Sequence, residues 1–183
     1  TRVDIMIEAL TLYLQKPGDV VELRALGVPS GNGFTRNYSG YFSELQPLER
    51  AVKSLDKQAP QYVSITVNPV NPALLARSAN KMKALKKGDA TSTDADIVHR
   101  RWLPVDLDPV RPAGISSTEE EKQSAIDLSF AIMSDLAAEW GEPVTADSGN
   151  GIHLLYPIDL PNDDTSDALL KKTLRALSAK YSN

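Results

Sequence analysis

The sequence predicts an α+β or α/β fold in which helices pack on a central sheet. Segments with apolar residues three and four positions apart alternate along the chain with short runs of β-branched and aromatic residues. A compact glycine-containing turn over residues 148–151 precedes the last of these apolar runs. This mixture of elements is typical of a domain built from packed layers around one hydrophobic core.

The first half of the chain is predicted to alternate between helices and strands. The first helix has apolar residues at helical spacing from Val3 to Leu14, and Pro17-Gly18 ends it. A turn-rich loop over 29–33 separates the first two strands. The predicted segments are a helix over 2–15, a strand over 20–26, a short strand over 37–43, a helix over 45–57, a strand over 62–67 and a basic helix over 73–87.

The second half is predicted to continue as strand, helix, strand and helix. Ser117 or Thr118 caps the long helix, with three glutamates favourably placed in its first turn. The predicted segments are a strand over 100–108, a helix over 119–139, a strand over 152–156 and a helix over 165–181.

Composition excludes several classes of site. The chain has 183 residues, 42% hydrophobic and 24% charged, which suits one compact domain with or without a helical extension. It has no cysteine, so disulfides and thiolate zinc sites are excluded, and its two histidines are too few for a histidine-rich metal cage. A metal ion would depend on carboxylates, which favours Mg²⁺ or Mn²⁺.

The net charge and the hydropathy of the chain limit the kinds of partner that we expect. A net charge of −4 argues against a purely nucleic-acid-binding protein but allows a local basic groove. No run of 18 apolar residues is present, and the first residues lack the pattern of a signal peptide. We therefore expect a cytoplasmic protein that does not associate with a membrane.

Asp106 and Asp108 are the first candidate site. Residues two apart in a strand point to the same face, so the two carboxylates stand side by side. Such a pair is costly unless a cation lies between the two, and two metal ions held this way can promote phosphoryl transfer. The alternative is a strand that runs out into a solvated acidic turn.

The second candidate site is the turn formed by Ser148, Gly149, Asn150 and Gly151, followed by His153. Its glycines allow a ligand to approach the backbone, and successive amides in such a turn can bind an anion. His153 on the next strand is placed to reach the same anion. The alternative is an ordinary β-turn with a histidine that a neighbouring group satisfies.

Basic residues concentrate between positions 77 and 111. They form a solvated surface or, beside a nucleotide site, follow the phosphates of a template strand. The candidate template contacts are Arg77, Lys81, Arg101 and Arg111.

Two stretches of the sequence resemble known motifs. The run 101–112, which carries Asp106 and Asp108, resembles the first motif region of archaeo-eukaryotic primases, and most closely the primase-polymerases of phages and mobile elements. The run 146–156, which carries Ser148 and His153, is similar to the second motif of that family. The resemblance covers roughly residues 20–165.

The resemblance implies a palm-like core related to the RNA-recognition fold, with a mainly antiparallel sheet. It implies that Asp106 and Asp108 hold the catalytic metals, and that Ser148, His153 and the Gly149–Gly151 backbone grip the phosphates of a nucleoside triphosphate. The reaction is then primer synthesis and DNA polymerisation on a single-stranded DNA template, in replication or repair of a phage or mobile element. A fused or separate helicase is an expected partner.

One part of the family pattern is missing from the sequence. The family has a third motif, an aspartate on a later strand, whereas Asp159, Asp163 and Asp164 are expected in a loop before the last helix. The predicted organisation is therefore an N-terminal helix over 1–18 and a primase-polymerase core over 19–183 that stops before the third motif.

Two other functions remain open at this stage. A catalytically inactive module on the same fold would bind a nucleotide or a single strand without forming a bond. A replication-initiator nuclease would need a histidine-rich metal site beside a tyrosine, and two histidines are too few for it.

Overall fold

The computed structural model describes residues 8–112 and 115–181 and shows an α+β fold. The chain divides into two compact units, of which the first ends at His99 and the second begins at Arg100. In the described residues the strands form two sheets, in place of the single central sheet that the sequence predicts. Helices flank the sheets, and the strand pairs with a defined register are antiparallel.

The first unit contains a four-stranded sheet and a long helix. Its elements are β1 (Val21–Pro29), β2 (Thr35–Phe42), α1 (Leu45–Gln58), β3 (Tyr62–Ile65) and β4 (Lys83–Ala84). The strands are ordered β3-β1-β2-β4, with β1 paired to both β2 and β3. Alternating apolar residues of β1 pack against α1 residues such as Leu48, which is fully buried. The predicted strand over 20–26 and helix over 45–57 are thus confirmed.

The first helix ends earlier than its apolar pattern predicts. Residues 8–11 are helical, and residues 2–7 of the predicted helix lie outside the described part of the chain. The Leu12 and Tyr13 amides donate to the carbonyl groups of Ala9 and Leu10, three residues back. Such bonds tighten and close the last turn of a helix, so this helix ends before Pro17-Gly18.

The predicted basic helix over 73–87 is wrong. A short 3₁₀ helix, Pro72–Arg77, is followed by extended chain that leads to β4. The Tyr41 amide donates to the Ser78 carbonyl, and the Asn80 amide donates to the Tyr41 carbonyl. Asn80 also adopts a left-handed backbone with φ of 52°, which does not continue a right-handed helix. Hydrogen bonds to β2 therefore replace the helical bonds that local propensity favours.

The second unit contains a three-stranded sheet covered by two helices. Its elements are β5 (His99–Leu107), α2 (Glu119–Trp140), β6 (Val144–Asp147), β7 (Ile152–Pro161) and α3 (Asp164–Tyr181). The strands are ordered β5-β7-β6. The sequence predicts β5, α2, β7 and α3, but not β6, whose four residues are too few for a periodic signal. Strand β7 also continues five residues beyond its predicted end.

The core of the second unit lies between this sheet and the helices α2 and α3. Its buried residues come from both long strands and both helices: Leu103, Val105, Ile132, Ile152, Leu154, Tyr156 and Leu170. The Thr118 hydroxyl caps α2 by accepting a hydrogen bond from the Glu121 amide at 3.2 Å. In turn, the Glu121 carboxylate accepts a hydrogen bond from the Thr118 amide at 2.8 Å. This reciprocal capping box confirms Thr118 as the N-cap.

No helix in the described part of the chain is long and apolar enough to cross a membrane.

Candidate active site

The two aspartates lie at the end of β5, on the face away from the core of the second unit. Leu103 and Val105 pack in that core, whereas the side chains of Asp106 and Asp108 are 62% and 47% exposed. Strand alternation places Asp106 and Asp108 on one face, as the spacing predicts. Both carboxylates are therefore accessible to a ligand from solvent.

Strand β7 brings His153 to the first of these carboxylates. The Nε2 atom of His153 lies 3.2 Å from Oδ1 of Asp106. His153 alternates with the core residues Ile152 and Leu154, so it faces away from the helices. The tertiary structure thus joins two candidate residues that are far apart in the sequence.

The second carboxylate lies against the glycine turn. A side chain added at Gly151 would overlap the carbonyl oxygen of Leu107 and lie 2.9 Å from Oδ1 of Asp108. Only glycine therefore fits this position without displacing β5. On its other side, Oδ2 of Asp108 pairs with Nη2 of Arg111 at 3.3 Å. Arg111 also donates to the Ile115 carbonyl at 2.7 Å, so it bridges the two ends of the loop after β5.

The turn between β6 and β7 satisfies several of its own amides. The Gly151 amide donates to Oγ of Ser148 at 2.9 Å, and the Ser148 amide donates to the Gly151 carbonyl at 3.0 Å. The Gly149 amide donates to Oδ1 of Asp147 at 2.7 Å. An anion bound at this turn would therefore replace an internal acceptor.

Helix α2 begins beside this turn. The Ser117 amide donates to Oδ1 of Asn150 at 3.2 Å. Lys122, on the first turns of α2, donates to Oδ2 of Asp147 at 2.8 Å. The Lys122 ammonium and, to a smaller extent, the Gly149 amide hold the pKa of Asp147 below its usual value. Sequence reasoning missed both Lys122 and Asp147, because no local spacing connects positions 25 residues apart.

A cavity of about 240 Å³ adjoins Asp106. It is lined by β5 and by apolar side chains of α2 and α3, which include Leu128, Ile132, Leu174 and Leu177. Ser178 and Tyr181 supply its polar groups on α3. The cavity therefore lies on the helix side of β5, whereas the carboxylates of Asp106 and Asp108 are on the opposite side of the sheet.

The donor set suits a hard divalent cation, though it is small. The carboxylate oxygens of Asp106 and Asp108 are ligands that Mg²⁺ and Mn²⁺ prefer. Among residues 8–112 and 115–181, however, no group of three or more histidine, cysteine, aspartate or glutamate side chains is placed to hold a metal ion. A cation bound by Asp106 and Asp108 would complete its coordination with water and phosphate oxygens, as Mg²⁺ commonly does at nucleotide sites.

The later aspartates do not supply a third ligand at this place. Asp159 lies on β7 rather than in a loop, and it is six residues beyond His153. At the rise of a strand this separates the two residues by about 20 Å. Asp163 instead caps α3 by accepting a hydrogen bond from the Ser166 amide at 2.8 Å.

The candidate template contacts fall into different units. Arg77 and Lys81 belong to the first unit, where Arg77 donates to the Tyr41 hydroxyl at 3.2 Å and lines a cavity of about 240 Å³ with Lys83. Arg101 and Arg111 belong to the second unit. Arg111 directly contacts a candidate site residue, Asp108.

No protein-family model, curated protein or solved structure matches this chain. The interpretation of the site therefore rests on its geometry and on the motif resemblance.

Proposed function

We propose that the protein is a nucleotidyltransferase of the primase-polymerase type, acting on nucleoside triphosphates and a single-stranded DNA template. The observation that carries this proposal is the convergence of Asp106, His153 and Asp108 with the turn 148–151 at one end of a three-stranded sheet. Two exposed carboxylates beside a histidine and a turn of backbone amides form a suitable site for a metal–nucleotide complex.

Each residue has a distinct role in this proposal. Asp106 and Asp108 would hold divalent cations, Mg²⁺ or Mn²⁺, and such cations would offset negative charge at the α-phosphate when a 3′-hydroxyl attacks it. His153 donates a hydrogen bond to a phosphate oxygen once that oxygen displaces it from Asp106. Ser148, Asn150 and the glycine backbone orient the phosphates, and pyrophosphate is the leaving group.

Arg111 belongs to the same proposal as a positioning residue. The Arg111 side chain is 17% exposed and its guanidinium pairs with Asp108, so it fixes the loop after β5 and offsets the repulsion between the two carboxylates. A cation held by Asp108 would compete with this pairing, and the Arg111 guanidinium would then be available to contact a phosphate.

A second candidate is a module that binds nucleotides or single strands without catalysis. Two observations favour it: the described residues contain no three-ligand metal group, and the Asp108 carboxylate is already paired with Arg111. Such a module would bind a triphosphate but would not join nucleotides.

Primer synthesis on single-stranded DNA, with Mn²⁺ and labelled nucleoside triphosphates, tests the proposal. We expect extended products from the parent protein and at least a hundredfold loss in a variant with Asp106→Asn and Asp108→Asn, because charge at the reacting phosphates is no longer offset. Triphosphate binding without any product from the parent would instead support the binding module.

A matched control separates the site from general charge effects. Asp56→Asn and Asp127→Asn together remove the same charge from exposed positions on α1 and α2. This control should retain parental primer synthesis. An equal loss in the control and in the site variant would exclude Asp106 and Asp108 as the metal ligands.

A further inference from the structure

The turn between β6 and β7 already binds an anionic side chain of the protein itself, Asp147. The carboxylate of Asp147 accepts one hydrogen bond from the Gly149 amide at 2.7 Å and another from the Lys122 ammonium at 2.8 Å. A backbone amide and a lysine that converge on one carboxylate form the same donor set that binds a phosphate oxygen.

The position of this group adjoins the candidate active site. Asp147 is the last residue of β6 and pairs in register with Ile152, the residue before His153. Gly151, in the same turn, lies against Asp108. Hydrogen bonds from Ser117 to Asn150 and from Lys122 to Asp147 attach the start of α2 to both arms of the turn.

We propose that Lys122 and the Gly149 amide form a binding site for a phosphate group of the incoming nucleotide. The Asp147 carboxylate occupies this phosphate-binding site until the nucleotide displaces it. The proposal deepens the function proposed above and rests on it for the identity of the ligand as a nucleoside triphosphate. Lys122 is then a binding residue, and Asp147 is an internal competitor.

Exposure makes the exchange feasible. The Asp147 side chain is 58% exposed and the Lys122 side chain 25% exposed, so the carboxylate can rotate into solvent while the lysine stays near the turn. The Asp147 carboxylate is already largely hydrated, so it loses little stabilising free energy when it leaves this ion pair. A polyphosphate carries more charge than the carboxylate that it replaces, which favours the exchange.

Calorimetry with inorganic tripolyphosphate, in the absence of divalent cations, tests this phosphate-binding site independently of catalysis. Asp147→Asn keeps a hydrogen-bond acceptor for the turn but removes the competing charge, and we expect roughly tenfold tighter binding. Lys122→Met should weaken binding roughly tenfold, because a charge-assisted hydrogen bond is lost. In the Lys122→Met background, the gain from Asp147→Asn should be smaller.

Control variants match the change in charge on the same unit. Asp127→Asn on α2 and Lys172→Met on α3 lie at exposed positions and should leave the affinity within about twofold of the parent, as expected for distant exposed charges. The proposal is overturned if Asp147→Asn fails to tighten binding, if Lys122→Met behaves like Lys172→Met, or if no variant binds tripolyphosphate.

The outcome is distinguishable from that of the proposed function. If the affinities change as expected while primer synthesis is absent, the phosphate-binding site is confirmed and the nucleotidyltransferase proposal is wrong. If primer synthesis depends on Asp106 and Asp108 while the affinities do not change, the reverse holds.

Discussion

At the scale of single residues, the first unit contains a buried carboxylate that is not part of the candidate site. Glu22, in the centre of β1, is fully buried and accepts hydrogen bonds from Arg24 Nη2 at 2.6 Å, Ser39 Oγ at 2.5 Å and the Ser92 amide at 2.9 Å. Burial alone would raise the pKa of Glu22, but the bonds from Arg24, Ser39 and Ser92 together lower it below its usual value. This buried, ionised glutamate connects the sheet to the loop around Ser92.

Glu22→Gln should lower the free energy of unfolding by about 3 kcal/mol, because Arg24 would then lose its buried charged partner. The folded-state pKa of Glu22 lies below the unfolded value, so its contribution to stability is present above the unfolded pKa and is lost as the pH falls through the folded pKa. Urea denaturation between pH 7 and pH 3 measures both effects. The variant should lose less stability on acidification than the parent does.

Glu8→Gln, at an exposed position in the same unit, is the control for this change. It should keep the parental stability and pH dependence. If Glu22→Gln matched it in both respects, the hydrogen bonds around Glu22 would have no net effect on folding.

At the scale of elements, the start of α2 both caps the helix and contacts the candidate active site. Its capping box joins Thr118 and Glu121, and the preceding Ser117 amide bonds to Asn150 in the turn 148–151. The helix then places Lys122 beside Asp147. The signal for the cap is local, and the sequence limited it to Ser117 or Thr118; the structure shows that Thr118 is the N-cap. The contact with the turn is not local and was not predicted.

Thr118→Ala should reduce the free energy of unfolding by about 1 kcal/mol, because the Glu121 amide loses its acceptor at the start of the helix. Thr118→Ser keeps a hydroxyl at the same position and should stay close to the parent. The midpoints of urea denaturation followed by circular dichroism compare the three proteins. A serine variant as unstable as the alanine variant would show that the hydroxyl does not act as a cap.

At the scale of the whole molecule, the chain forms two compact units with separate hydrophobic cores. One core contains Leu48 and the residues of β1, and the other contains Leu154 and the residues of β5 and β7. The complete constellation of Asp106, Asp108, His153 and the turn belongs to the second unit. Both tryptophans, Trp102 and Trp140, also lie there, so their fluorescence reports on that unit.

Leu154→Ala should lower the stability of the second unit by about 3 kcal/mol, because the fully buried side chain leaves a cavity in the core. The denaturation midpoint reported by tryptophan fluorescence should shift accordingly. Leu169→Ala, at a position that is 51% exposed on α3, is the matched control and should have a small effect. A tryptophan transition that did not move in Leu154→Ala would place Leu154 outside the cooperative core.

The sequence by itself determined the elements whose signals are local. Periodicity and capping residues act within a few positions, and they predicted the strands over 20–26 and 100–108, the helices over 45–57 and 119–139 and a helix cap at Ser117 or Thr118. The pairing of Asp106 with Asp108 on one face follows from strand geometry in the same way. The two candidate motifs could therefore be predicted, although not their distance from each other.

Only the tertiary structure decided which of these residues meet. A basic helix was predicted over 73–87, but this segment is 3₁₀ and extended chain that forms hydrogen bonds with β2. Backbone groups can pair with a strand as well as within a helix. The contacts of His153 with Asp106, of Gly151 with Asp108 and of Lys122 with Asp147 join positions 25 to 47 residues apart. Strand order and helix packing set such distances, and both depend on burial of a shared core rather than on any local sequence signal.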